Sequence, residues 1–193
     1  MLAMWQMFHG VIPEEWIDEF VEVVEKEITV QEATTNYGDE AEVNTTQRRS
    51  QIRWINLKYP HILKHIEPVL EIYMKSANRN AFNFDINYID HFQFTTYRAE
   101  DKGFYDWHPD IFWETKNETT HRKLSITLQL SNSDEYEGGD FEFKAPVVQP
   151  DSNELRKKGS ILIFPSFVEH RVTPVTKGVR KSLVGWYEGP KFR

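Results

Sequence analysis

His108-Pro109-Asp110 sets an imidazole and a carboxylate two residues apart. On an extended backbone, side chains at i and i+2 leave the same face, so the two groups can converge on one ion. A third protein ligand would complete a facial triad with open coordination positions, which suits non-heme Fe(II) and leaves room for an organic acid and dioxygen. The pair alone carries little weight, because 7 histidines and ten aspartates in 193 residues produce roughly 0.4 such pairs by chance. Its context comes later in the chain. Ser160-Ile161-Leu162-Ile163-Phe164 reads as a buried strand that breaks at Pro165 and delivers His170 shortly afterwards. Arg180 then opens another β-type run that reaches Trp186. With no cysteine anywhere, disulfides, thiolate metal sites and a cysteine nucleophile are excluded, and any metal must rest on histidine and carboxylate.

The elements that must position these residues follow from periodicity. Ile12, Trp16, Phe20, Val23, Val24 and Ile28 recur at helical spacing, with Pro13 suited to a first turn and Glu14 and Glu15 to its positive end. Thr34 to Gln47, with Asn36, Gly38 and Asp39, reads as a loop. Helical spacing returns between His61 and Lys75, where Pro68 starts a second segment or kinks the first, and the helices end near Asn78. The period then changes to two, in Phe82 to Tyr88 and Phe92 to Tyr97. Further strands are expected at Leu124 to Leu130, Asp140 to Phe143, Ser160 to Phe164, Arg171 to Val175 and Ser182 to Tyr187. Helices first and many short strands afterwards predict a β-sandwich or barrel buttressed by N-terminal helices.

Several motifs together carry a family resemblance: Tyr97-Arg98-Ala99-Glu100 up to His108-Pro109-Asp110, His121-Arg122-Lys123-Leu124-Ser125, Tyr136-Glu137-Gly138-Gly139-Asp140, Phe164-Pro165-Ser166 with His170-Arg171-Val172-Thr173-Pro174-Val175, and Arg180 with Ser182-Leu183-Val184-Gly185-Trp186. In order and spacing they resemble the Fe(II)- and 2-oxoglutarate-dependent oxygenases of the prolyl 4-hydroxylase type, within them the bacterial and phage prolyl/lysyl-hydroxylase-like branch. The resemblance covers roughly the last 100 residues, and residues 1 to 80 match loosely.

A chain of 193 residues predicts a single domain. The resemblance implies a double-stranded β-helix (jelly roll, cupin-like) core over 81–193, supported by a mainly helical 1–80. It maps His108, Asp110 and His170 onto the iron ligands. Arg180 maps onto the cation that pairs with the distal carboxylate of 2-oxoglutarate, a role for which a planar guanidinium is well shaped. Tyr97 maps onto a tyrosine whose hydroxyl bonds the same carboxylate, and Trp186 onto a strand position lining the co-substrate pocket. The implied reaction couples decarboxylation of 2-oxoglutarate to succinate with hydroxylation of a substrate C–H bond by dioxygen. Ascorbate is a supporting reductant, and no general base is assigned. Peptidyl proline is the first substrate expectation. A small molecule, a free amino acid or a nucleobase is the enzymatic alternative, and a catalytically silent jelly-roll binding module the other. Collagen-type relatives carry lysine where Arg180 stands, which makes a collagen-like substrate the weaker expectation.

Other residues leave plainer readings open. His91 and His121 lack a companion carboxylate at ligand spacing and read as surface or strand-packing histidines. Glu137-Gly138-Gly139-Asp140 reads as a hairpin turn. Trp107, Phe112 and Trp113 could equally wall a cleft or pack in the core. Gln47 to Trp54 is a basic strand-like run, in which Arg49 and Arg53 share one face and Arg48 the other. Either it is a substrate-recognition strip or its arginines pair with surface carboxylates. The net charge of −7 weighs against nucleic acid or an anionic membrane as partner. Met1 to Val11 lacks a signal-peptide pattern, so a cytoplasmic location is expected.

Overall fold

The computed structural model describes residues 4–35, 42–113 and 119–193. In chain order the elements are β1 (Gln6–Phe8), α1 (Glu14–Glu27), β2 (Gln31–Glu32), β3 (Arg48–Arg49), β4 (Gln51–Asn56), α2 (Pro60–Leu63), α3 (Glu67–Ala77), β5 (Tyr88–Arg98) and β6 (Phe104–His108). They continue with β7 (Thr120–Gln129), β8 (Tyr136–Gly138), β9 (Phe141–Phe143), α4 (Ser152–Leu155), β10 (Ile161–Pro165), β11 (His170–Val172) and β12 (Val175–Pro190). A large antiparallel sheet runs β1-β10-β7-β12-β5-β4-β2, with β8 also paired to β12. A small sheet runs β3-β6-β11-β9. The protein is mainly β, as expected, and the two sheets face each other across a cavity of about 570 Å³.

Period two decides what each central strand shows to either side. On β5, Phe92 and Phe94 point outward into the main hydrophobic core, while Gln93, Thr95 and Tyr97 line the cavity. On β12, Leu183 and Tyr187 enter that core and Arg180, Ser182, Val184 and Trp186 line the cavity. The outward face is covered by α1, through Ile17, Phe20 and Val24, and by α3, through Leu70, Met74 and Ala77. Burying one such side chain stabilises the fold by roughly 1.5–3 kcal/mol, so helices over the outer face let the inner face carry polar groups. No helix among the described residues is long and apolar enough to cross a membrane.

The strand-like run expected over Gln47 to Trp54 contains β3 and β4: β4 extends the large sheet beside β5 and β3 pairs with β6 in the small one. Three expectations change. Phe82 to Asn87 is not a strand: Asn78–Phe82 forms a π turn, and Asn83 takes a left-handed backbone at φ 53°. There the Asn78 side-chain amide donates to Phe84 O and accepts from Phe84 N, both at 2.9 Å, supplanting a ladder partner. The strand expected over Arg171 to Val175 splits at Thr173-Pro174, since Pro174 has no N–H for a ladder. Gly138 and Gly139, both at positive φ, do form a turn, yet not a hairpin. Through it the chain passes from β8, paired with β12, to β9, paired with β11. Of the expected 34–47 loop, Thr35 bridges Glu42, and Asn36, Gly38 and Asp39 lie outside the described residues, as do Met1 to Ala3.

Candidate metal centre

His108 closes β6 and His170 opens β11, directly opposite each other in antiparallel register. Cross-strand neighbours have Cβ atoms within about 5.5 Å, which brings the two imidazoles together. Their ring centroids are 4.3 Å apart. Asp110 does not continue the strand as an extended i+2 neighbour. It lies in a bend beyond β6, where Ser166 O accepts from Asp110 N at 2.8 Å and from Ile111 N at 3.1 Å. That bend still turns the carboxylate inward, with Asp110 Oδ1 3.8 Å from His108 Nε2 and Asp110 Oδ2 3.6 Å from His170 Nε2. One ligand atom from each of these three buried residues lies within 4.8 Å of the others.

The ring protons are fixed by neighbours. His108 Nδ1 is 2.7 Å from Asp106 O, and His170 Nδ1 is 2.9 Å from Val168 O. A carbonyl only accepts, so each Nδ1 is the donor, and each Nε2 faces the centre as the nitrogen that can offer a lone pair to an ion. Burial, with His170 nearby, lowers the pKa of His108 to about 3, so its ring is neutral at ordinary pH. Burial raises the pKa of Asp110, but the two imidazoles and a hydrogen bond from Ser125 outweigh it and leave a net lowering. Two imidazole nitrogens and one carboxylate are the donor set that a divalent iron with open positions takes. The donor chemistry fits.

Packing holds the rings in place. Tyr105 stacks on His108 at 3.4 Å and 13°, while Phe141 and Phe164 contact His170 at 5.2 and 4.8 Å. Burial raises the Tyr105 phenol to about 12, so it stays protonated beside the centre. Arg48 caps the other face of this stack, 4.4 Å from the Tyr105 ring, and donates to Ser50 Oγ and Gln93 Oε1. Carboxylate pairing was one reading of the basic run. Among the described residues it does not occur, because Arg49 donates to Thr45 O and Arg53 to Ile28 O. Arg48 is buried because its phase on β3 turns it to the cavity, whereas Arg49 stays exposed.

Arg180 and Tyr97 are cross-strand partners on β12 and β5 and line the same cavity. The guanidinium lies 5.6 Å from the Tyr97 ring. Among the described residues, neither it nor the Tyr97 hydroxyl has a hydrogen-bond partner, although Arg180 is only 5 % exposed. Trp186 lines the cavity too, six residues from Arg180 on one strand, so roughly 20 Å away along it. Around Trp186 stand Trp54 at 6.0 Å, His91 at 6.1 Å and the Arg122 guanidinium at 4.0 Å. His91 is therefore at the mouth of the cavity, while His121 lies outside its lining and accepts from Phe192 N. Of the three aromatics beside the metal motif, only Phe112 lines the cavity. Trp107 takes Arg171 on its face and Trp113 is largely exposed. Sequence reasoning gave no role to Tyr105, whose only signal was its place in a strand next to a ligand, nor to Ser125, which entered only as part of a family motif.

The family model described as the 2OG-Fe(II) oxygenase superfamily matches residues 92–188, half of the chain. The chain belongs to this superfamily. Among curated relatives, it is 38% identical over 96 residues to a PKHD-type hydroxylase of Synechococcus sp. (strain CC9311), covering 50% of this chain and 41% of that protein. A PKHD-type hydroxylase of Hyphomonas neptunium is 46% identical over 65 residues, covering 34% and 28%. The chain thus spans well under half the length of the curated relatives it matches. Among oxygenase folds, the crystal structure of a Pseudomonas putida prolyl-4-hydroxylase superposes with TM-score 0.71 at 20% identity, covering 98% of this chain and 94% of that one. A Trichoplax adhaerens prolyl hydroxylase in complex with a hypoxia inducible factor oxygen degradation domain peptide fragment gives 0.71 at 16%, covering 96% and 83%. A viral collagen prolyl hydroxylase from Paramecium Bursaria Chlorella virus-1, in complex with 2OG, gives 0.69 at 14%, covering 96% of each chain. These likenesses establish the jelly-roll fold.

Proposed function

We propose that the chain is an Fe(II)- and 2-oxoglutarate-dependent hydroxylase of peptidyl proline. In this reading residues 1–193 act as one oxygenase domain, His108, Asp110 and His170 are the iron ligands, and Arg180 with Tyr97 grips the distal carboxylate of 2-oxoglutarate. The observation that carries it is the pairing of two features in one cavity: a buried His-Asp-His cluster and a buried guanidinium with no anionic partner among the described residues. An unpaired buried charge is costly, and a dicarboxylate co-substrate is the natural counter-ion. Iron held by His108, Asp110 and His170, with 2-oxoglutarate held by Arg180 and Tyr97, would supply the oxidative chemistry that couples decarboxylation to succinate with hydroxylation of the substrate by dioxygen.

The chain's own residues bind, orient and exclude water. The Nδ1 donors of both histidines hold Nε2 towards the metal. Tyr105, Phe141 and Phe164 keep that face of the centre apolar. Trp186 was expected to line the co-substrate pocket. Its distance along β12 from Arg180 favours a place on the substrate side of the cavity, where it stands with Trp54, His91 and the Arg122 guanidinium that lies over its ring. Peptidyl proline is the reading supported by the prolyl-hydroxylase likenesses and by the peptide named with the Trichoplax adhaerens structure.

The test has two stages. Purified protein with Fe(II), ascorbate and 2-oxoglutarate should form succinate, and Asp110→Ala should not. A panel of proline-containing peptides should then gain the mass of one oxygen atom. Failure of 2-oxoglutarate to bind would leave a silent binding module. Oxidation of a free amino acid or base, with every peptide untouched, would move the substrate to the small-molecule class.

A further inference from the structure

Ser125 on β7 and Ser166, just after β10, are fully buried and lie outside the set of metal-ligand candidates. Ser125 Oγ is 2.6 Å from Asp110 Oδ2 and 3.0 Å from Ser166 Oγ. An ionised carboxylate only accepts, and a serine hydroxyl has one proton. The Ser125 proton therefore goes to Asp110, and the Ser166 hydroxyl must be the donor to Ser125 Oγ. The relay runs one way, from Ser166 through Ser125 to the carboxylate, and each bond polarises the next. Ser166 also accepts the Asp110 and Ile111 N–H groups on its backbone carbonyl. One residue thus fixes the backbone of the bend directly and its side chain through a neighbour. Ser125 itself sits in the middle of the large sheet, paired with Phe164 on one side and Trp186 on the other, and has little room to shift.

We propose that Ser125 is a positioning residue that holds Asp110 to single-oxygen ligation, with Ser166 aiming its hydroxyl. One lone pair of Oδ2 is committed to the Ser125 hydroxyl, while Oδ1 accepts no side-chain hydrogen bond among the described residues, so Oδ1 is the oxygen more available to the ion. The consequence bears on the reaction, because an Asp110 bound through both oxygens would fill the coordination position that a chelating 2-oxo acid leaves open to dioxygen. This inference rests on the proposed assignment of His108, Asp110 and His170 as the metal ligands.

The test is an anaerobic titration of the whole chain with Co(II), read by the visible d–d absorption band and by calorimetry. Ser125→Ala should weaken Co(II) binding by about 10- to 100-fold, the usual range for outer-shell partners, and change the band shape. Ser125→Thr, which keeps the hydroxyl, should restore both. Ser166→Ala should fall between, and it carries the test if Ser125→Ala fails to fold by circular dichroism. Wild-type affinity and an unchanged band in the alanine variants, with binding still abolished by Asp110→Ala, would overturn the positioning role alone. If the unaltered chain takes no Co(II), or Asp110→Ala takes it equally well, the ligand assignment falls and the inference with it.

Discussion

The two walls of the cavity are built differently. The small sheet holds both imidazoles on strands of five and three residues, β6 and β11. The large sheet holds Tyr97 and Arg180 on strands of eleven and sixteen, β5 and β12. Ladder bonds along β5 and β12 fix the register of Arg180 against Tyr97 over many rungs, so the juxtaposition of guanidinium and phenol is a product of sheet geometry. Short strands cannot supply that, and the imidazoles are placed instead by local side-chain contacts: carbonyls on Nδ1, and Tyr105, Phe141 and Phe164 around the rings. Substitutions on the small wall should therefore act on the metal, and those on the large wall on 2-oxoglutarate.

The harshest test of that division is His170→Ala. It should lower succinate formation by more than about 100-fold, beyond the range for outer-shell partners, with far-UV circular dichroism unchanged. Next comes Arg180→Ala. Losing hydrogen bonds to a charged group at about 1.5–3 kcal/mol each should raise KM for 2-oxoglutarate by about 10- to 100-fold. Co(II) affinity without 2-oxoglutarate should stay unchanged, and a drop there would show that the walls are not separable. Acid is a third probe, specific to the small wall. His108 folds with a pKa of about 3, below its ordinary value, so the unfolded chain binds the proton first as pH falls. Stability of the metal-free protein should fall from about pH 6.5 towards pH 3, by at most about 1.4 kcal/mol per pH unit for this group. The lowered carboxyl of Asp110 adds loss in the same direction at the acid end. Urea midpoints at a series of pH values check this, and a flat profile would refute it. The mildest is Tyr105→Leu, which removes a stack of roughly 0.5–1.5 kcal/mol and should weaken Co(II) binding about 2- to 10-fold while sparing KM for 2-oxoglutarate.

The sequence reached the large wall more readily than the small one, for the same physical reason. Long strands write their inward and outward faces as period two, so Gln93, Thr95 and Tyr97 against Phe92 and Phe94 can be read directly. The three ligand candidates were legible from residue type, order and family spacing. What was not legible depended on contacts far apart in the chain: the Ser166 carbonyl that bends Asp110 inward, the Ser125 hydroxyl on its carboxylate and the burial of Arg48 against Tyr105. The failed strand at Phe82 to Asn87 had the right alternation. A single side-chain amide, Asn78, captured the backbone groups that a neighbouring strand would have taken.

The turn at Gly138 and Gly139 reaches beyond its role in moving the chain between sheets. A Cβ on Gly139 would stand 3.1 Å from Arg180 Cδ and 2.9 Å from Val175 Cγ2, on a backbone at φ +64°. The missing side chain is thus the berth for the aliphatic stem of the arginine, and it sets how deeply the cationic head can retract. Any larger residue there would have to displace that stem, so a position outside the cavity lining helps to set where an arginine inside it can lie.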